Sequence, residues 1–406
     1  MSMGFALVAG LALFGQPPAD LVLVGGKLVT LDAERPQATA LAARDGRIVA
    51  VGDDASMAPF IGDATRVIEL DGRLAIPGFI EGHGHFTSLG RSLQVLDLTA
   101  ARNWDEIVRL VGRAALDAKP GAWIEGRGWH QSKWDAVPEP NVEGYPTHHA
   151  LSAVTPNNPV RLVHASGHMA FVNAAALAAA GIDEKTTDPA GGTILRDADG
   201  APTGALRETA QALLSRAAAS PRVRRTPEER RAELDELIRL AQDECRRHGV
   251  TSFQDAGSSF AEVDAFRDWA DEGRLDVRLW VMLRENNRRL ADQLPAYRIV
   301  GAGDGYLTVR AIKRSIDGAL GAHGAWLLEP YADLTDSSGL NTTSIESIEQ
   351  TGRLALEHDM QLCVHAIGDR ANRETLDLFA GLFEGRPDGR DVRWRIEHAQ
   401  HLHPND

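Results

Sequence analysis

From Thr226 onward the sequence alternates between short apolar runs and amphipathic stretches, and this alternation limits the fold more than any other feature. Thr226-Pro227-Glu228-Glu229 supplies a helix N-cap, a proline at the first helical position and a capping glutamate. The helical pattern EERRAELDELIRLAQDECRRH follows, Gly249 stops it, and VTSFQDAG begins a strand at once. VRLWVML, TVRAIKRSID, MQLCVHAIGD and VRWRIEHAQ read as further strands. Helical segments including SIESIEQTGRLALEH and NRETLDLFAGLF separate them. Apolar strands alternating with helices predict a parallel sheet covered by helices.

Upstream, GFIEGHGHF after Pro77-Gly78 reads as a strand leading towards the helix NWDEIVRLVGRAALDA, with Asn103 as N-cap and Glu106 three residues on. Between roughly 119 and 225 the rhythm breaks into Trp, Pro and Gly clusters, which predict an inserted lobe over the barrel mouth. Residues 20–78 carry short Val, Ile and Leu runs broken at Gly25-Gly26, Asp45-Gly46 and Asp71-Gly72, the pattern of a small β-rich module. The expected organisation is α/β: this module, then a (β/α)-barrel over 79–406 with the insert. At 406 residues the chain has room for both.

A net charge of −14 argues against electrostatic binding of nucleic acid or acidic membranes. The apolar run GFALVAGLALFG within Met1–Gly15, followed by Gln16-Pro17-Pro18-Ala19, resembles a secretory signal over residues 1–19, but no Lys or Arg precedes it. Periplasmic or secreted and cytoplasmic locations stay equally open, and no stretch is long enough for a membrane span. Cys245 and Cys363 form no disulfide framework, and Cys245 reads as a small buried thiol in a helix.

His83 and His85 lie two apart at the end of a strand, so their imidazoles project together, which suits a borderline divalent ion such as zinc. His365 in QLCVHAIGD and His398 in RWRIEHAQ end two other strand-like runs. Side chains at strand ends converge at the C-terminal face of a barrel, where active sites of this fold sit. Strand alternation puts Lys313, Ser315 and Asp317 on one face and Arg314 on the other. An inward lysine is costly unless paired or chemically altered, and a salt bridge with Asp317 is the plainer reading. Arg395 and Glu397, opposite His398 on alternation, read as an ion pair towards the helices. Cys363 shares the His365 face but has no identifiable base.

PGFIEGHGHF, IKRSIDGALG, HAIGDRA and RIEHAQ resemble the amidohydrolase superfamily, specifically its YtcJ-like branch, which includes N-substituted formamide deformylases. GRGWHQSKW, ASGHMAFVNAAAL and GGTILRDADGAPTGAL in the insert resemble signatures of the same branch. The resemblance implies a (β/α)8 TIM-type barrel, about six strands of it within this chain, and a β-module that forms part of a composite sandwich. It implies metal ligands His83 and His85 from strand one, Lys313 from strand four, His365 from strand five and His398 from strand six. In two-metal relatives the strand-four lysine is carbamylated and bridges the ions; one or two ions, with zinc expected, stays open here. Relatives continue through two further strands, the last carrying an aspartate that moves the proton, so this chain is expected to be truncated and its catalytic acid/base to fall beyond residue 406. Trp129, His130, Gln131, Trp134 and His168 from the insert, with Asp317, are candidates to line the substrate pocket.

The expected activity is hydrolysis of a carbon–nitrogen bond in a small amide or N-acyl substrate by metal-activated water. A metal-dependent esterase or lactonase, or a metal-binding relative without catalysis, is the alternative. A homo-oligomer is open.

Overall fold

The computed structural model describes residues 16–215, 225–385 and 391–406; the Met1–Gly15 apolar run and residues 216–224 of the expected insert lie outside the described residues. The chain divides into two compact units, Met1–Phe79 and Ile80–Asp406.

The first unit holds two small sheets. Arg47–Gly52, Ala40–Arg44, Leu21–Val24 and Arg66–Glu69 form one, and Gln37–Ala38, Lys27–Val29 and Leu74–Ala75 the other. Asp45 and Gly46, both with positive φ, make the tight hairpin turn between Ala40–Arg44 and Arg47–Gly52. The alternate residues Val22, Val24, Ala40 and Ala42 pack with Met57 into this unit's core.

In the second unit six strands lie side by side in chain order: Phe79–Gly84, Val250–Ser258, Arg278–Leu283, Leu307–Ser315, Gln361–Ala366 and Arg395–His398. From the second to the sixth each pairs in parallel with the next. The sheet curls into an incomplete barrel. Arg395 on the sixth strand reaches Gln254 on the second (2.7 Å) and lies over Trp280 on the third. One face of the sheet, with Leu279, Val281, Ile312 and Val364, packs against helices through Ile238, Phe266 and Ile348. The other face encloses Ala256, Met282, Ala311 and Cys363. Cys363 therefore faces inward as the alternation predicts, and burial pushes its thiol up to about 11, away from the reactive thiolate.

The helix signals behave as written. Thr226 and Glu229 complete a capping box at the start of the helix Pro227–Arg247, which ends where Gly249 takes φ 73. Cys245 is buried on it. Asn103 caps the helix Trp104–Asp117 by accepting from the Glu106 amide. That helix packs Trp104, Ile107 and Val111 into a second core with Trp129, Leu162 and Phe171. The core belongs to a separate six-stranded sheet ordered Gly192–Arg196, Pro202–Glu208, Met169–Val172, Val160–His164, Ile124–Trp129 and Leu96–Asp97. The sheet-forming lobe thus takes in residues upstream of 119.

Candidate metal centre

The register of the last two barrel strands sets the site. His365 pairs with Glu397 and Ala366 with His398. Side-by-side residues in a parallel pair share a face, so Glu397 points inward with His365. The expectation that Arg395 and Glu397 turn towards the helices is therefore corrected. They do form an ion pair, with Arg395 Nη2 and Glu397 Oε1 3.1 Å apart, but within the barrel. His398 would face outward on alternation alone. Its φ of +76°, followed by 43° at Ala399, breaks the alternation at the strand end. Its ring consequently comes within 4.5 Å of His83 and 4.6 Å of His365, centroid to centroid.

His83 is the last residue but one of the first strand and His85 the N-cap position of the following short helix, with ring centroids 5.8 Å apart. His83 Nδ1 is 2.5 Å from Glu397 Oε2, which leaves Nε2 as its free nitrogen. His365 Nε2 is 3.2 Å from the Gly318 carbonyl, which leaves Nδ1. Carboxylate or carbonyl partners on the second nitrogen are what metal-ligating histidines require, because they fix tautomer and ring orientation.

Electrostatics point the same way. Burial, reinforced by Lys313, Arg284 and His83, lowers His85 to about 3. Burial, His83 and Lys313 lower His398 to about 4, and burial with His168 and His398 holds His365 well below the ordinary imidazole value. These three rings are neutral at physiological pH, the state in which imidazole binds a metal. Burial alone would raise Glu397, but the His83 hydrogen bond and the charges of Arg395 and Lys313 hold it below the usual carboxylate value. The donor chemistry thus fits a divalent ion. In their present positions, however, no three His, Cys, Asp or Glu side chains among the described residues are disposed to hold one.

Lys313 is only 2% exposed, and burial lowers its pKa to about 8 despite the opposing Glu397 charge. It does not pair with Asp317. Asp317 spends its oxygens on the amides of Ile367 (3.0 Å), Gly368 (2.8 Å) and Trp326 (2.9 Å). Arg314 takes the opposite face, where it binds Thr351 (2.8 Å), Asn287 and the Glu285 carbonyl at the surrounding helices.

A cavity of about 490 Å³ opens beside the centre, lined by His85, Lys313, His168 and Asp317 among others. His168 Nδ1 is 2.7 Å from Glu208 Oε2, and its ring centroid lies 4.9 Å from His365. The remaining lobe candidates stand elsewhere. Trp129 is 1% exposed, bonds the Leu162 carbonyl and stacks on Trp134 inside the lobe core. His130 and Gln131 cluster with His164, and Gln131 also meets the Gly321 carbonyl.

Glu208 went unrecognised in the sequence. It ends the wholly buried run PTGALRE with φ +48°, and its Oε1 is buried without a hydrogen-bond partner. An acid closing an otherwise buried strand was the available signal.

Residues 66–406 match the profile of the Amidohydrolase family, and the chain belongs to that family. It is 33% identical to the protein LONG AFTER FAR-RED 3 of Arabidopsis thaliana, over 95% of this chain and 65% of that one. It is 30% identical to YtcJ of Bacillus subtilis (strain 168), an amidohydrolase by name, over 93% and 68%. It is 26% identical to the N-substituted formamide deformylase of Arthrobacter pascens, over 94% and 69%. The chain thus spans about two thirds of the length of these relatives. An uncharacterized metal-dependent hydrolase from Pyrococcus horikoshii OT3 superposes with a TM-score of 0.63 at 23% identity, covering 89% of this chain and 68% of that one, which shows the shared barrel fold.

Proposed function

We propose that the chain carries the metal site of a hydrolase that cleaves a carbon–nitrogen bond in a non-peptide amide or N-acyl compound. The observation that carries this reading is the convergence of imidazoles from three strand ends, two of them with the second ring nitrogen engaged. His83, His85, His365 and His398 would hold the ion, with Lys313 as a further ligand if converted to its carbamate. A divalent ion there supplies Lewis acidity and lowers the pKa of water towards neutrality.

The chain's own residues do the rest. Glu397 and the Gly318 carbonyl orient His83 and His365, and burial disfavours the protonated form of His365. With Nδ1 committed to Glu208, His168 has Nε2 left to hold a proton at the leaving nitrogen. The N-acyl preference is drawn from the formamide deformylase relative.

The test is metal analysis with amine-release assays on N-acyl amines and matched esters, for the wild type and the double variant His83→Ala/His85→Ala. We expect bound zinc or a similar ion in the wild type, and loss of both metal and turnover in the variant. Metal content unchanged in the double variant would refute the ligand set. Ester turnover without amide turnover would refute the bond assigned.

A further inference from the structure

The cavity beside the centre carries more positive charge than the reaction just described calls for. Arg127 from the strand Ile124–Trp129, Arg284 just beyond the third barrel strand, and Lys313 all line it. Its acids bond elsewhere: Glu208 Oε2 with His168 (2.7 Å), while its Oε1 has no hydrogen-bond partner among the described residues, Asp317 with three amides, and Glu262 with Ser259 (2.8 Å) and Thr87 (2.7 Å). Among the described residues neither Arg127 nor Arg284 has a carboxylate within ion-pair distance. Arg284 has only Ser315 Oγ, at 3.4 Å, and Arg127 passes close to Gly167, with its Nη2 3.8 Å from where a Cβ would stand.

Guanidinium groups with no carboxylate in contact are costly in a crowded pocket, and a bound anion relieves that cost. A carbamate on Lys313 would not settle the account, since a divalent ion at the histidines would itself neutralise it. A guanidinium group matches the planar, two-oxygen geometry of a carboxylate. A cavity of about 490 Å³ suits a small acid.

We propose that Arg127 and Arg284 form a subsite for the carboxylate of the substrate, so that the compound hydrolysed is an acidic one of the N-acyl amino acid class. This rests on the carbon–nitrogen reading above, but the two fail separately under test. Calorimetric binding and amine release are measured with N-acetyl-leucine and its neutral counterpart N-acetyl-leucinamide, on the wild type and on Arg127→Met, Arg284→Met and the two Arg→Lys variants. The acid is expected to bind more tightly than the amide. Each Met variant should weaken acid binding about tenfold, or about 1.4 kcal/mol, and leave amide binding unchanged. The Lys variants should retain part of the preference, and they serve as the comparison if a Met variant does not fold by circular dichroism. Arginine-dependent binding of the acid with no amine released from either compound upholds the subsite and refutes the bond assigned. Equal binding of acid and amide, or equal loss of both in the arginine variants, overturns the subsite whatever the turnover.

Discussion

Gly90 offers a test in which two familiar effects oppose each other and the structure decides the sign. It lies in the short helix Phe86–Ser92 that follows His85, and that helix packs on Pro227–Arg247. On propensity alone, alanine in a helix interior should stabilise by about 1 kcal/mol over glycine. A Cβ at Gly90, however, would stand 2.1 Å from the Leu237 carbonyl oxygen, 2.8 Å from its carbon and 2.9 Å from its Cα. Ordinary contacts between such atoms lie at roughly 3.5 Å, so the helices would have to part by more than an ångström. All three obstructing atoms are backbone and cannot rotate away. Overpacking costs about 1–3 kcal/mol, and with no side chain able to yield, the upper end applies. Gly90→Ala should therefore destabilise by about 2 kcal/mol net. His85 occupies the N-cap position of the same helix, so on the proposed ligand set metal affinity should fall with stability. Urea unfolding gives the first quantity and competition against a chromophoric chelator the second. An alanine variant equal to or more stable than wild type would show that the helices separate freely, and would refute the close-contact argument.

Replacing Glu397 with Gln keeps its shape but removes the charge that holds the His83 ring, and should weaken metal binding about 10–100-fold by chelator competition; wild-type affinity would show that His83 needs no orienter. Asp255 is buried, and burial raises its pKa to about 6 from 3.8, against the opposing bonds from Ser258 and the Phe86 amide. A raised folded value gives stability that is full below about 3.8 and lost as pH rises through about 6, worth at most roughly 3 kcal/mol. Asp255→Asn should flatten that loss in urea unfolding of the metal-free protein across this window, and an unchanged slope would count against the shift.

The sequence was most readable where a local rule acts alone. The capping box at Thr226, the turn at Asp45-Gly46 and the strands around Lys313 and His365 follow from caps, turn residues and two-residue alternation. The sixth strand departs from its expected alternation for a physical reason. Alternation assumes extended backbone throughout, and His398 departs from it at the residue that matters, so Glu397 and His398 both reach the centre. Trp129 and Trp134 are pocket candidates on the sequence, yet their area is spent on the lobe core, a tertiary outcome no local pattern reveals. Glu208 stayed hidden because its importance lies in where Pro202–Glu208 ends in space.

The His83–Glu397 bond joins residues 314 positions apart. Contacts so distant in sequence form late, because the loop between them must be ordered before their closure is rewarded. A newly made chain therefore presents His83 and His85 long before it can orient them, and any ion captured early would be held by two loosely directed rings. On the proposed ligand set, stable loading would await the sixth strand. The rate at which a metal becomes resistant to chelators during refolding would thus time the closure of the barrel.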